Sequence, residues 1–166
     1  MIVAGVDPGA TGAVAIFDTE RRTLELIDMP TYVEQQSRGK KKTRVDAMAL
    51  ARTMTLVAGV IDVACVEKVG AMSGQGTSSM FAFGRATGIV EGVLACVSDK
   101  LMTLRPQQWQ PLARVKGGAE IKTNARNRAM VLFPNNAHQF KRVKDSGRAD
   151  AALIAYATAI QLGAIT

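Results

Sequence analysis

Asp7, Glu67, Asp145 and Asp150 are the residues whose types and positions point to chemistry. Asp7 closes the apolar run Ile2-Val3-Ala4-Gly5-Val6, and Glu67 closes a second run, Val63-Ala64-Cys65-Val66. Asp150 opens a third, Ala151-Ala152-Leu153-Ile154-Ala155. Carboxylates converging from two strand ends and a helix start make an oxygen-only donor set suited to hard divalent cations, as magnesium-dependent phosphodiester chemistry requires. Without a cation, four such groups would repel and raise one another's pKa values. Asp145 and Asp150 taken singly read equally well as ordinary loop and helix-start acids. The strand-end acids are harder to explain that way, because a carboxylate at the centre of a sheet must find a partner.

The elements that must position these acids follow from hydrophobic patterning. Residues 1–6, 13–18 and 24–29 read as three short strands joined by turns, the first turn being Asp7-Pro8-Gly9-Ala10-Thr11-Gly12. Residues 32–44 are polar and basic and read as a mobile loop or arm. Leu50, Met54 and Val57 fall at helical spacing behind Asp46, so a helix is expected from about Val45 to Gly59. Ile61 to Val66 reads as a fourth strand, reached by the crossover that parallel pairing demands. A long helix from about Ser78 to Val97 follows, with Gly84 and Gly88 on one face suggesting close packing against another backbone. Leu101 to Leu104 reads as a fifth strand, and 106–109, 120–132 and 149–162 as helices. The expectation is one α/β domain over residues 1–166, a mixed five-stranded sheet with helices on both faces.

Composition narrows the partners. The 166 residues carry a formal charge of +7, with an isoelectric point near 9.8 and mean hydropathy of +0.08. The cations cluster: Arg38, Lys40, Lys41, Lys42 and Arg44 form one block. A looser block holds Arg114, Lys116, Lys122, Arg126, Arg128, Lys141, Arg142 and Lys144. Two basic blocks flanking an acidic site suit a phosphate backbone, although a basic run can also be a solvated loop. No apolar run approaches the roughly 20 residues that span a bilayer, and neither block has an amphipathic membrane-binding pattern. The first residues read as a strand and not as a signal peptide, so a cytoplasmic location is expected. Cys65 and Cys96 both read as small buried hydrophobes, and His138 as a solvated turn residue, which leaves no zinc site.

Taken in order, four blocks resemble the RuvC family of Holliday junction resolvases in its phage-like branch. They are Asp7-Pro8-Gly9-Ala10-Thr11-Gly12, Val66-Glu67, the stretch from Met72 to Arg85, and Gly147-Arg148-Ala149-Asp150-Ala151-Ala152-Leu153. The resemblance implies a ribonuclease H-like fold and a homodimeric, magnesium- or manganese-dependent endonuclease that nicks opposed strands of a four-way DNA junction. If the gene is phage-borne, that work would occur in the host cytoplasm. Asp7, Glu67 and Asp150 match the family's metal-binding carboxylates. The usual fourth position, three before the last aspartate, is Gly147 here, and the phage-like pattern puts the group at Asp145. Lys122 falls where a functional lysine is expected. A lysine common after the Pro-x-x-hydrophobic helix start is replaced by Gln110. The position of an aromatic junction wedge is Gly70, which leaves Met72 as the substitute.

On this reading Asp7 bridges two ions, Glu67 and Asp150 hold one each, Asp145 completes a shell and Lys122 stabilises the scissile phosphate. Lys40, Lys41, Lys42, Met72, Lys116, Lys122, Arg126 and Arg148 are the expected DNA contacts. The 78–97 helix is the expected dimer surface, with Phe81 and Phe83 either on it or in the core. Two other readings stay open. Asp7 to Thr11 also fits the first phosphate loop of sugar kinases and actin-like ATPases, although the chain lacks the second, similar domain they need. A non-catalytic module that binds branched DNA is the third.

Overall fold

The computed structural model describes residues 1–36, 39–57, 60–68, 70 and 76–166. Five strands form the central sheet in the order β3-β2-β1-β6-β7. Strands β1 (Ile2–Asp7), β2 (Ala13–Asp18) and β3 (Thr23–Asp28) meander antiparallel. Strand β6 (Ile61–Glu67) runs parallel to β1, and β7 (Ser98–Leu104) parallel to β6. The sheet is the mixed α/β arrangement expected, and helices cover both of its faces.

Period-2 alternation assigns each strand residue to one of two cores. On one face Val3, Ala13, Ala15, Phe17 and Cys65 pack beneath α3 (Pro106–Leu112), α4 (Ile121–Leu132) and α5 (Ser146–Gln161). On the other, Ala4, Val6, Val14, Ala64 and Val66 meet α1 (Ala47–Thr55) and α2 (Thr77–Ala95). Helix α5 crosses β1 at Ala151 and Ala155, and Gly5 is the reason it lies so close. A methyl on Gly5 would collide with the backbone of Ala151 and Ala155. That contact sets the height of Asp150 relative to the end of β1.

Several elements differ from the sequence reading. Most of the stretch expected as a loop is strand: β4 (Thr31–Gln35) and β5 (Lys41–Val45) pair antiparallel. β-Branched Thr31, Val33, Thr43 and Val45 favour the extended backbone. Arg44 Nε donates to Glu34 Oε2 across the pair at 3.0 Å, and Gly39 adopts a φ of 72° near the turn. Arg38 lies outside the described residues, as does Gly59. β7 begins at Ser98, three residues before the expected start, and as an edge strand it carries the exposed polar residues Asp99 and Lys100. Helix α1 begins after Asp46, whose carboxylate accepts from Ala49 N at 3.0 Å. Helix α5 starts at Ser146, so Asp150 sits in its second turn and does not open it. Cys65 is buried, but Cys96, the C-cap of α2, is exposed. Gly84 and Gly88 face open space among the described residues, and Phe81 is exposed.

Candidate active site

Strand register brings the first two acids together. Val6 pairs with Val66 across the parallel β1–β6 ladder, so Asp7 and Glu67 stand side by side at the same end. Alternation turns both toward the face covered by α5, since Val3 and Cys65 lie on that face. Asp150 comes down onto them from α5. Lys122, on α4, donates from Nζ to Asp150 Oδ2 at 2.5 Å. Asp7 accepts from the amide of Gly9 at 3.2 Å, and Glu67 Oε1 accepts from the indole Nε1 of Trp109 at 3.0 Å.

The charges of these four groups feel one another. Burial raises the pKa of Asp7, against the Gly9 amide and the Lys122 ammonium. Burial likewise raises Asp150, opposed by Lys122 and reinforced by Asp7. Glu67 is pushed up to about 7 by burial, the indole hydrogen bond working against it and the charges of Asp7 and Asp150 adding to it. For Lys122, burial disfavours the ammonium, but the charge and hydrogen bond of Asp150, with Asp7 and Glu67 behind it, outweigh burial and raise its pKa. Three desolvated carboxylates thus face one ammonium. Among the described residues no group of three or more acids, histidines or cysteines is gathered closely enough to hold a metal ion as it stands. The chemistry of the donors, all carboxylate oxygen with more negative charge than Lys122 neutralises, is of the kind that hard divalent cations take.

Asp145 stands apart from this group. It is buried at the start of α5, where Arg142 donates to Oδ1 from Nη2 at 2.8 Å and to Oδ2 from its backbone amide at 2.8 Å. Those bonds, Arg142's side chain first, hold its pKa below the ordinary carboxylate value against desolvation. Arg148 Nη1 lies 4.0 Å away and its Nε and Nη2 hold Asp28 at 2.6 and 2.5 Å. The expected fourth ligand is therefore a partner of arginines, lining a cleft of about 230 Å³ with Thr11, Asp28 and Arg148. Gly147 cannot replace it. A Cβ there would strike the carbonyl of Thr11 and Gly12, so the position has no room for a side chain.

The expected DNA contacts divide in the same way. Lys40 and Lys41 on the hairpin and Lys116 before α4 are exposed. Lys42 donates to Ser78 Oγ at 2.9 Å, tying the hairpin to α2. Arg126 is not at the surface: it is buried and donates to Ser146 Oγ at 3.2 Å and Thr123 Oγ1 at 3.3 Å. Arg148 is committed to Asp28. Met72 lies outside the described residues. Trp109 was missed by sequence reasoning, which took it only as part of a short helix. A lone tryptophan with a polar N–H in an otherwise apolar position was the available signal.

Comparison with solved structures places this architecture. Thermus thermophilus RuvC in complex with a Holliday junction substrate superposes with a TM-score of 0.60 at 18% identity, covering 98% of this chain and 94% of that one. A second Thermus thermophilus RuvC structure gives 0.53 at 19% identity, covering 98% and 97%. The chain has the RuvC fold. No protein-family model and no curated protein sequence matches it. Within the RuvC fold, the cluster of Asp7, Glu67, Asp150 and Lys122 lies where β1, β6, α4 and α5 meet. Among the described residues no helix is long and apolar enough to cross a membrane.

Proposed function

We propose that this chain is a magnesium- or manganese-dependent endonuclease that cuts Holliday junctions and related branched DNA as a homodimer. The observation that carries the reading is the trio Asp7, Glu67 and Asp150, desolvated together beneath α5 with Lys122 as their ammonium partner. The RuvC fold and a net charge of +7 support it.

Asp7, Glu67 and Asp150 would hold the cations, with Asp145 left out because arginines already occupy it. Bound there, divalent cations supply an acidified water, a sink for charge on the phosphoryl group and stabilisation of the departing oxygen. The chain's own residues do the rest. Trp109 fixes the rotamer of Glu67 through its indole N–H, and the Gly9 amide fixes Asp7. Lys122, whose side chain is two-thirds exposed, reaches the rim and can shift its ammonium from Asp150 to a non-bridging phosphate oxygen. Lys40, Lys41 and Lys116 supply backbone contacts that release counterions. Two sites related by a dyad would meet two phosphates together only on bent, branched DNA, which gives selectivity for shape. The open glycine face of α2 is the surface assigned to the dimer.

The test is incubation with synthetic four-way, three-way and linear DNA in magnesium, manganese or chelator. Paired, metal-dependent nicks in the four-way junction support the reading. Junction binding with no nicking under any metal would replace it with the non-catalytic module.

A further inference from the structure

A cavity of about 270 Å³ opens between β5 and α2. Its walls are apolar, formed by Val45, Ala82, Phe83, Ala86 and Ile89. Three cations, Lys42, Arg44 and Arg85, line the same cavity. Ala10, in the turn that follows Asp7, also borders it, and the cavity opens on the α2 face of the sheet, opposite the face to which the carboxylates turn. Lys42 is anchored by Ser78 and Arg44 by Glu34. Arg85 is exposed and has no carboxylate within ion-pair distance among the described residues.

This lining calls for an occupant that is part apolar and flat, part anionic. The volume falls just below the usual range for small-molecule sites, roughly 300–1,000 Å³, and so suits one ring system. We propose that the cavity receives a single unstacked nucleobase of the bound junction, with its flanking phosphates against Lys42, Arg44 and Arg85. The proposal rests on the reading above that branched DNA is the substrate. A base beside an opened branch point lacks a stacking neighbour on one side, so extruding it costs less there than within a continuous duplex. The cavity therefore favours branched over linear DNA and gives cutting a preference for particular bases through its size. An apolar side chain from a second copy is the competing occupant, and three cations do not suit it.

The experiment uses four-way junctions carrying 2-aminopurine singly at each nucleotide flanking the exchange point, titrated with protein in chelator. Ala82→Leu fills the cavity and Phe83→Leu removes its aromatic wall. The expected result is a several-fold fluorescence rise at one position with the wild type and none with Ala82→Leu. Phe83→Leu should bind that junction at least about fivefold more weakly, with unchanged unfolding temperature and sedimentation. In magnesium, cutting rates for the four bases at that position should differ in the wild type and converge in both variants. Should either variant unfold, the surface change Arg85→Glu serves instead and should abolish the fluorescence rise. No rise at any position, or an equal rise in the variants, overturns the proposal. Altered sedimentation of the variants with unaltered fluorescence also overturns it, assigning the cavity to a second copy. Absence of metal-dependent cutting in the wild type would count against the nuclease alone, and the fluorescence still decides the cavity.

Discussion

Replacing Glu67 by glutamine should stabilise the metal-free protein. The folded chain holds the Glu67 proton until about pH 7, against an ordinary value of 4.5, chiefly because the carboxyl is desolvated. Its folded-state pKa is raised, so stability falls as pH rises from about 4.5 to 7, and the full cost is present by pH 8. At about 1.4 kcal/mol for each pH unit between the two values, ionised Glu67 costs the fold up to about 3.5 kcal/mol. Glutamine keeps the Oε1 that accepts from Trp109 and removes the charge. In urea titrations at pH 8 with chelator, Glu67→Gln should therefore exceed the wild type by about 1–3 kcal/mol. In a thermal scan this corresponds to roughly 3–10 °C for a chain of this size. At pH 4 the difference should vanish, and added magnesium should raise the wild type more than the variant. A variant equally or less stable at pH 8 in chelator would show that Glu67 is not an uncompensated charge, and the reasoning about the site would fail with it.

Other expectations follow from the same geometry. Lys122→Ala should slow cutting by about 10²-fold while weakening junction binding far less; parallel single-turnover and gel-shift measurements separate the two, and unchanged cutting would remove Lys122 from the chemistry. Asp145→Asn should retain cutting within a few-fold but lower stability at neutral pH. Because the Asp145 pKa is depressed, that loss should disappear as pH falls below the ordinary carboxylate value, whereas abolished cutting in a folded variant would restore Asp145 as a ligand. Lys41→Ala should weaken binding uniformly across DNA sequences and reduce the slope of log affinity against log salt by about one.

The strands that carry Asp7 and Glu67 were legible because both faces of β1 and β6 are buried, leaving near-continuous apolar runs that stop at an acid. Asp150 was legible for a related reason, directly before the apolar, alanine-rich run of α5. The hairpin of β4 and β5 was not, since its extended backbone rests on β-branched threonine and a cross-strand ion pair within a stretch whose lysines suggested a loop. Asp145 misled because its type and position do not reveal the arginine three residues earlier, whose guanidinium takes both its oxygens. Arg126 misled in the same way, a cation in a basic block that turns inward to hydroxyls. The bond from Trp109 to Glu67 spans 42 residues and follows from sheet order, which local pattern does not encode. Gly147 looked like a missing ligand and is a packing contact against the turn after Asp7.

The most direct measurement compares wild type, Asp7→Asn and Asp150→Asn for strand nicking of one four-way junction in magnesium, with binding measured on the same preparations. The account predicts paired nicks from the wild type, none from either variant, and binding by the variants that is equal or tighter. Cutting by a pure variant at the wild-type rate would contradict it.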